Sequence, residues 1–292
     1  MVRDFGHFSA APFDGGLEPA GFHAGPPQEE ALARLEWLVT AGQRCGLVVG
    51  GEGSGKSHIV AMAARRLGGL GAEVAVLSLR GLPEGEWIDL VLERLPLDPA
   101  SRAEPLRPWV KLENRLRENT LMERPTVLLF DDVDLAPDDA RAGIGRLAAA
   151  VEPRFSRTLV VATATPQGCG RVPEEIHDRS AVRIELVPWT GAETAAFLAW
   201  ELDRVGGPAD AFTPEAAATL ARFAGGVPRM VGRLARLALA AAAGDGCGRV
   251  DAGTVERAWR ELAPAAAVDE QPAAETPGAG QPRVRAVRRL WG

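Results

Sequence analysis

Gly50-Gly51-Glu52-Gly53-Ser54-Gly55-Lys56-Ser57 is the stretch on which this 292-residue chain turns. In the pattern G-x-x-x-x-G-K-[ST], glycines let successive backbone N–H groups turn inward around phosphates. A flexible ammonium reaches the β and γ groups, and a hydroxyl joins Mg²⁺. The chain holds only two lysines, Lys56 and Lys111, against 31 arginines. A composition that so prefers arginine has kept lysine where a compact point charge is needed. Arg44 to Val49 reads as a short buried strand before the loop and Ser57 to Leu67 as a helix after it, the order such a loop requires. The expected ligands are ATP and Mg²⁺, held by Gly50, Gly51, Glu52, Gly53, Ser54, Gly55, Lys56, Ser57 and His58.

Four further apolar runs follow, at 73–79, 126–130, 158–163 and 182–186. Helical patterns separate them, near Glu84–Leu95, Trp109–Met122 and Asp138–Val151, so strands and helices alternate as in a parallel sheet covered on both faces. From Thr190 the strand signals stop. Four helical segments succeed one another, near Ala192–Val205, Pro214–Phe223, Pro228–Ala243 and Thr254–Leu262, punctuated by glycine pairs. The expected architecture is α/β: a three-layer αβα sandwich on a five-stranded parallel sheet over residues 1–189, then a small all-α unit over 190–263. Residues 264–292, rich in Pro, Ala, Gly and Glu, read as a disordered tail with a basic amphipathic end.

Around the loop the sequence offers a set of candidate catalytic groups. Asp131 and Asp132 follow the apolar run Val127-Leu128-Leu129-Phe130, which delivers both carboxylates to the carboxyl edge of the sheet. The first is expected at the Mg²⁺ shell with Ser57, and the second at the attacking water. Asp132 is one methylene shorter than glutamate, so slow hydrolysis is expected. Thr165, with Thr163 as the alternative, ends the fourth run where a hydroxyl can touch a γ-phosphate. Arg179 precedes the fifth run and can reach the nucleotide of a neighbouring subunit. Arg229 stands one residue inside a helix opened by Gly225-Gly226-Val227-Pro228, from which it can point across a cleft to the phosphates.

Composition narrows the remaining classes. The net charge is −6, with 46% hydrophobic and 25% charged residues. An acidic body counts against nonspecific nucleic-acid binding. Cys45, Cys169 and Cys247 show neither metal spacing nor an even count, and read as reduced thiols. No run of ~18 apolar residues suggests a membrane span and the start does not read as a signal peptide, so a cytoplasmic location is expected.

Taken together, the glycine loop, Asp131-Asp132 and Gly225-Gly226-Val227-Pro228-Arg229 resemble the AAA+ ATPases, and among them the general secretion pathway protein A family. The likeness runs over roughly residues 5–263. It includes Pro12-Phe13, Glu30 to Leu35, Asp178 to Leu186, Glu193 to Leu198, Phe212 to Ala216 and Val255 to Trp259. The resemblance implies ATP hydrolysis, assembly into a ring or filament, and a protein partner in secretion or envelope assembly. The basic amphipathic end at 283–291 reads, from its own residues, as a docking end for a partner protein or an anionic surface. Two departures stand out: Asp-Asp in place of the family's Asp-Glu, a pairing similar to that of replication initiators, and no membrane span or peptidoglycan-binding domain. Related modules serve DNA transposition as target-selection ATPases, so a DNA-associated ATPase is the alternative reading. A nucleotide-gated switch with little hydrolysis is the third.

Overall fold

A computed structural model describes residues 9–16, 18–97, 106–150 and 155–262 of the chain. The five apolar runs form five strands: β1 (Cys45–Gly50), β2 (Glu73–Ser78), β3 (Thr126–Asp131), β4 (Thr158–Ala164) and β5 (Ser180–Leu186). They pair in parallel throughout, in the order β2-β3-β4-β1-β5. Each begins or ends within two residues of its apolar run, and β3 carries Asp131 as its last residue.

The runs are continuous because both faces of the sheet are covered. Leu47, Val49, Leu128 and Phe130 point to one side, where they pack with Leu112, Leu116, Ile144 and Ile176. Those partners come from helices α4 (Pro108–Leu121), α5 (Asp138–Ala149) and α6 (Glu174–Arg179), beside α3 (Trp87–Arg94). Val48, Val127, Leu129 and Val161 face the other side, against Leu32, Leu35, Ile59 and Ala63. These belong to α1 (Pro26–Thr40) and α2 (Lys56–Gly69). Neither α1 nor the short α6 is among the helical stretches that the sequence pattern marks.

Beyond β5 come α7 (Gly191–Arg204), α8 (Pro214–Ala224), α9 (Pro228–Gly244) and α10 (Ala252–Leu262). Thr190 caps α7 through a reciprocal pair with Glu193: Glu193 N donates to Thr190 Oγ1 and Thr190 N to Glu193 Oε2. Leu198, Leu202, Leu220, Val231, Leu234 and Val255 form the core of these four helices. At the join with the sheet, Trp189 N donates to Gly226 O at 2.8 Å. Gly226 has φ +67°, and a side chain there would run into the Trp189 backbone, so only glycine fits.

One segment crosses between the units. Phe13, though far N-terminal to the helices, is buried in their core against Phe197 and Phe212. Its N–H donates to the buried carboxylate of Glu201 at 2.7 Å, while α1, thirteen residues on, packs on the sheet. The chain from Phe13 to Pro26 therefore straps the two units across the carboxyl edge of β1. The tail read from residue 264, with the basic end at 283–291, lies outside the described residues.

Candidate active site

Where β1 runs into α2, Gly53 (φ +77°) and Gly55 (φ +97°) take left-handed conformations that turn the chain sharply into the helix. Gly53 has a second constraint, since a Cβ there would come 2.9 Å from the Cβ of Arg229. Lys56 opens α2, 6% exposed, and its Nζ donates to the carbonyls of Gly50 at 2.9 Å and Gly51 at 3.3 Å. Both acceptors are neutral, so the ammonium keeps its charge for a ligand. The first-turn N–H groups of α2 have no intrahelical partner and add a positive dipole end.

The second wall comes from β3. Ser57 Oγ donates to Asp131 Oδ2 at 2.6 Å, across the end of β4, which lies between β3 and β1. Thr163, on β4 and fully buried, donates to Asp131 Oδ1 at 2.5 Å and accepts from Asp132 N at 2.9 Å. Asp131 is thus aimed at Ser57 by a hydroxyl from the strand between them. Asp132 follows in a left-handed conformation, φ +56° and ψ +48°. That swings its carboxylate to Arg80, just past β2, whose Nε donates to Asp132 Oδ2 at 3.0 Å. The hydrogen bond and charge of Asp132 push the Arg80 pKa up.

Hydroxyl and carboxylate oxygens at Ser57 and Asp131 are the hard donors that Mg²⁺ selects, and it takes few protein ligands when phosphates and water fill the rest of its shell. The described residues contain no cluster of three or more His, Cys, Asp or Glu side chains that would favour another metal. The donor set fits the expected ion.

These groups line one cleft of about 660 Å³, roofed by the strap and by α9. Gly53 to His58, Glu52, Asp131, Asp132 and Arg229 all border it. His58 also holds the strap, its Nε2–H donating to Gly16 O at 2.8 Å. Arg229 N donates to Gly53 O at 3.2 Å, tying the first turn of α9 to the glycine loop.

Three candidates lie elsewhere. Thr163 sits behind Asp131, under the cleft floor. Thr165 is engaged with Asp134, its Oγ1 donating at 2.6 Å and its N at 3.1 Å, and it also accepts from Gly168 N at 3.0 Å. Reaching a γ-phosphate would require exchanging Asp134 for it. Arg179 ends α6 at the amino edge of the sheet, where Ser180 pairs with Cys45, opposite to the loop that follows Gly50. It is exposed, close to the charge of Arg44 and beside Cys45, whose thiol burial pushes up to about 11. From there Arg179 cannot serve its own cleft.

Other cleft residues escaped the sequence. Arg80 follows β2 without any motif. Arg233 and Arg236 continue the face of α9 begun by Arg229. Phe13, Phe22, His23, Trp189 and Phe197 also line the cleft, with the Phe22 ring stacked on His58. His23 packs among Trp189, Phe197 and Trp200, and burial pushes its pKa down. The spacing of Arg233 and Arg236 was there to be read; the strap was not, because its contacts span most of the chain.

No family model matches the chain. General secretion pathway protein A of Aeromonas hydrophila is 23% identical over 268 residues. That match covers 90% of this chain but only 48% of the relative, so the chain spans about half its length. Among solved structures, Cdc6p of Pyrobaculum aerophilum superposes with a TM-score of 0.64 at 16% identity, covering 84% of this chain and 70% of that one. The Aeropyrum pernix ORC1 protein, solved in complex with DNA, gives 0.60 at 18% identity over 84% and 68%. The RuvB Holliday junction branch migration motor of Thermotoga maritima gives 0.53 at 16% identity over 80% and 69%. The chain has the P-loop AAA+ fold and resembles general secretion pathway protein A.

Proposed function

We propose that this chain is an ATP hydrolase that binds ATP with Mg²⁺ in the cleft, turns it over slowly, and uses it to assemble on a protein partner. The observation that carries the reading is the 2.6 Å contact between Ser57 Oγ and Asp131 Oδ2, beside a Lys56 that makes no ion pair among the described residues and whose Nζ donates to backbone carbonyls. The ion supplies charge neutralisation on the phosphates. Lys56 and the N-terminus of α2 would cradle the β and γ groups, Ser57 and Asp131 would hold the ion, and Asp132 would orient the water. Asp132 is tied to Arg80, which supports slow turnover. Arg179, turned away from its own cleft, supports completion of the site by a neighbouring subunit, with residues 1–189 and 190–263 as the two units that nucleotide brings together.

Secretion or envelope assembly is the process supported by the likeness to general secretion pathway protein A, from the cytoplasmic side. No helix among the described residues is long and apolar enough to cross a membrane. A DNA-associated role is the second reading, favoured by the likeness to a protein solved with DNA and to a branch migration motor. Calorimetry with ATP and Mg²⁺, alongside a turnover assay with and without duplex DNA, tests both. Lys56→Ala should lower affinity or turnover by at least about tenfold, and equal values in the variant and the parent would overturn nucleotide binding here. Turnover raised by DNA would favour the second reading.

A further inference from the structure

β1, β3 and β4 are buried along their whole length, whereas β5, at one edge of the sheet, alternates. Ile184 and Leu186 turn to Leu32 and Leu35 of α1. Ala181, Arg183, Glu185 and Val187 share the other face, and all four are exposed. Val187 is 61% exposed, an apolar side chain left in solvent. β5 pairs with β1 alone, and among the described residues no further backbone hydrogen bond reaches Ala181 to Val187. Such an edge is a template for another strand. β2, at the opposite edge, has α2 and α3 packed against it and offers no comparable face.

We propose that two copies of this chain pair through β5, antiparallel about a two-fold axis at Ile184, so that two five-stranded sheets join into one. The order of side chains on the exposed face selects both the occupant and the register. With Ile184 on the axis, Arg183 stands opposite the partner's Glu185 and Ala181 opposite the partner's Val187, and symmetry repeats each contact. Side chains directly opposed across an antiparallel pair lie about 5 Å apart, within reach of ion pairing and apolar contact. Charges on an edge ordinarily keep it from pairing. Here they reject only the other arrangements. An antiparallel slip of two residues sets Arg183 against the partner's Arg183, or Glu185 against the partner's Glu185. A slip of one residue turns the exposed face of one copy to the α1 face of the other. Parallel pairing at matched positions again opposes like charges. Arg183 and Glu185 lie outside the cleft lining, so the contact needs no nucleotide and stands or falls apart from the reading of the cleft.

The test is sedimentation equilibrium of the full chain without nucleotide, where the parent should show a monomer–dimer equilibrium. Arg183→Glu sets only carboxylates against one another across the axis, and Glu185→Arg only guanidiniums. Each change alone should raise the dissociation constant at least about tenfold. An equal mixture of the two variants opposes unlike charges at every position and should dimerise within about threefold of the parent. Within one strand Arg183 Nε donates to Glu185 Oε1 at 3.0 Å, and both variants lose that bond. Recovery in the mixture therefore excludes misfolding and the loss of this bond as the cause. The register is checked by mixing Ala181→Cys and Val187→Cys chains, which should cross-link on mild oxidation more than either variant does alone. A parent that stays monomeric at every concentration overturns the proposal. So does a dimer that neither single change weakens, a mixture no better than its components, or cross-linking of a single cysteine variant that matches the mixture.

Discussion

Arg80 Nε donates to Asp132 Oδ2 across 3.0 Å, so the acid expected to handle water is bound to a cation from the neighbouring strand's end. A carboxylate in that bond is a weaker acceptor for a water proton. Arg80 is 55% exposed and the pair is screened, so breaking it shifts the barrier by at most about 1 kcal/mol. Arg80→Ala should therefore raise turnover by about two- to fivefold. Asp132→Asn should abolish turnover while leaving ATP affinity within about threefold of the parent. Single-turnover measurements check both, and an Arg80→Ala variant slower than the parent would make Arg80 a phosphate ligand instead.

Thr163 gives a distinct signature. It is fully buried and serves two partners, Asp131 Oδ1 and Asp132 N. Thr163→Val keeps the shape and leaves both partners unsatisfied, which costs about 1–3 kcal/mol. Because Asp131 loses the bond that aims it at Ser57, the Mg²⁺ concentration for half-maximal turnover should rise by about tenfold, as a metal titration would show. A change in thermal stability with an unchanged metal dependence would confine Thr163 to packing.

These two predictions mark how far the sequence could be read. The glycine loop and the Asp131-Asp132 pair were legible because their chemistry is local: six to eight residues fix each one. The strands were legible because burial on both faces leaves continuous apolar runs. Arg80 and Thr163 gain meaning only when β2, β3 and β4 lie side by side, and Thr165 reads as a cleft residue until Asp134 is seen to hold it. Phe13 carries no sign in sequence that its ring fills the core of helices that begin at Gly191.

His23 ties stability to pH. Its ring lies among Trp189, Phe197 and Trp200, and burial lowers its pKa below 6.5 in the folded chain. The unfolded chain therefore binds the proton first as pH falls, and this contribution to stability, full above 6.5, is lost on acidification toward the folded value. Chemical denaturation between pH 7.5 and pH 5.5 should show the parent weakening, and His23→Phe should flatten that slope. An identical slope in His23→Phe would assign the dependence to other groups.

Arg229 links α9 to the chemistry in two separable ways. Its backbone N–H donates to Gly53 O, and its side chain packs where a Cβ on Gly53 would stand. Arg229→Ala keeps the backbone bond, and with it the docking of α9 on the loop, and removes only the guanidinium. If that guanidinium contacts the γ-phosphate, ATP must hold the helical unit closed more tightly than ADP does, because only differential contact can shift the equilibrium. The variant should then lose ATP affinity by about tenfold while ADP affinity changes by less than about twofold, a gap that calorimetry with each nucleotide resolves. Equal losses for both nucleotides would mean that the side chain only braces the join, and the closing contact would then fall to Lys56 and the glycine loop alone.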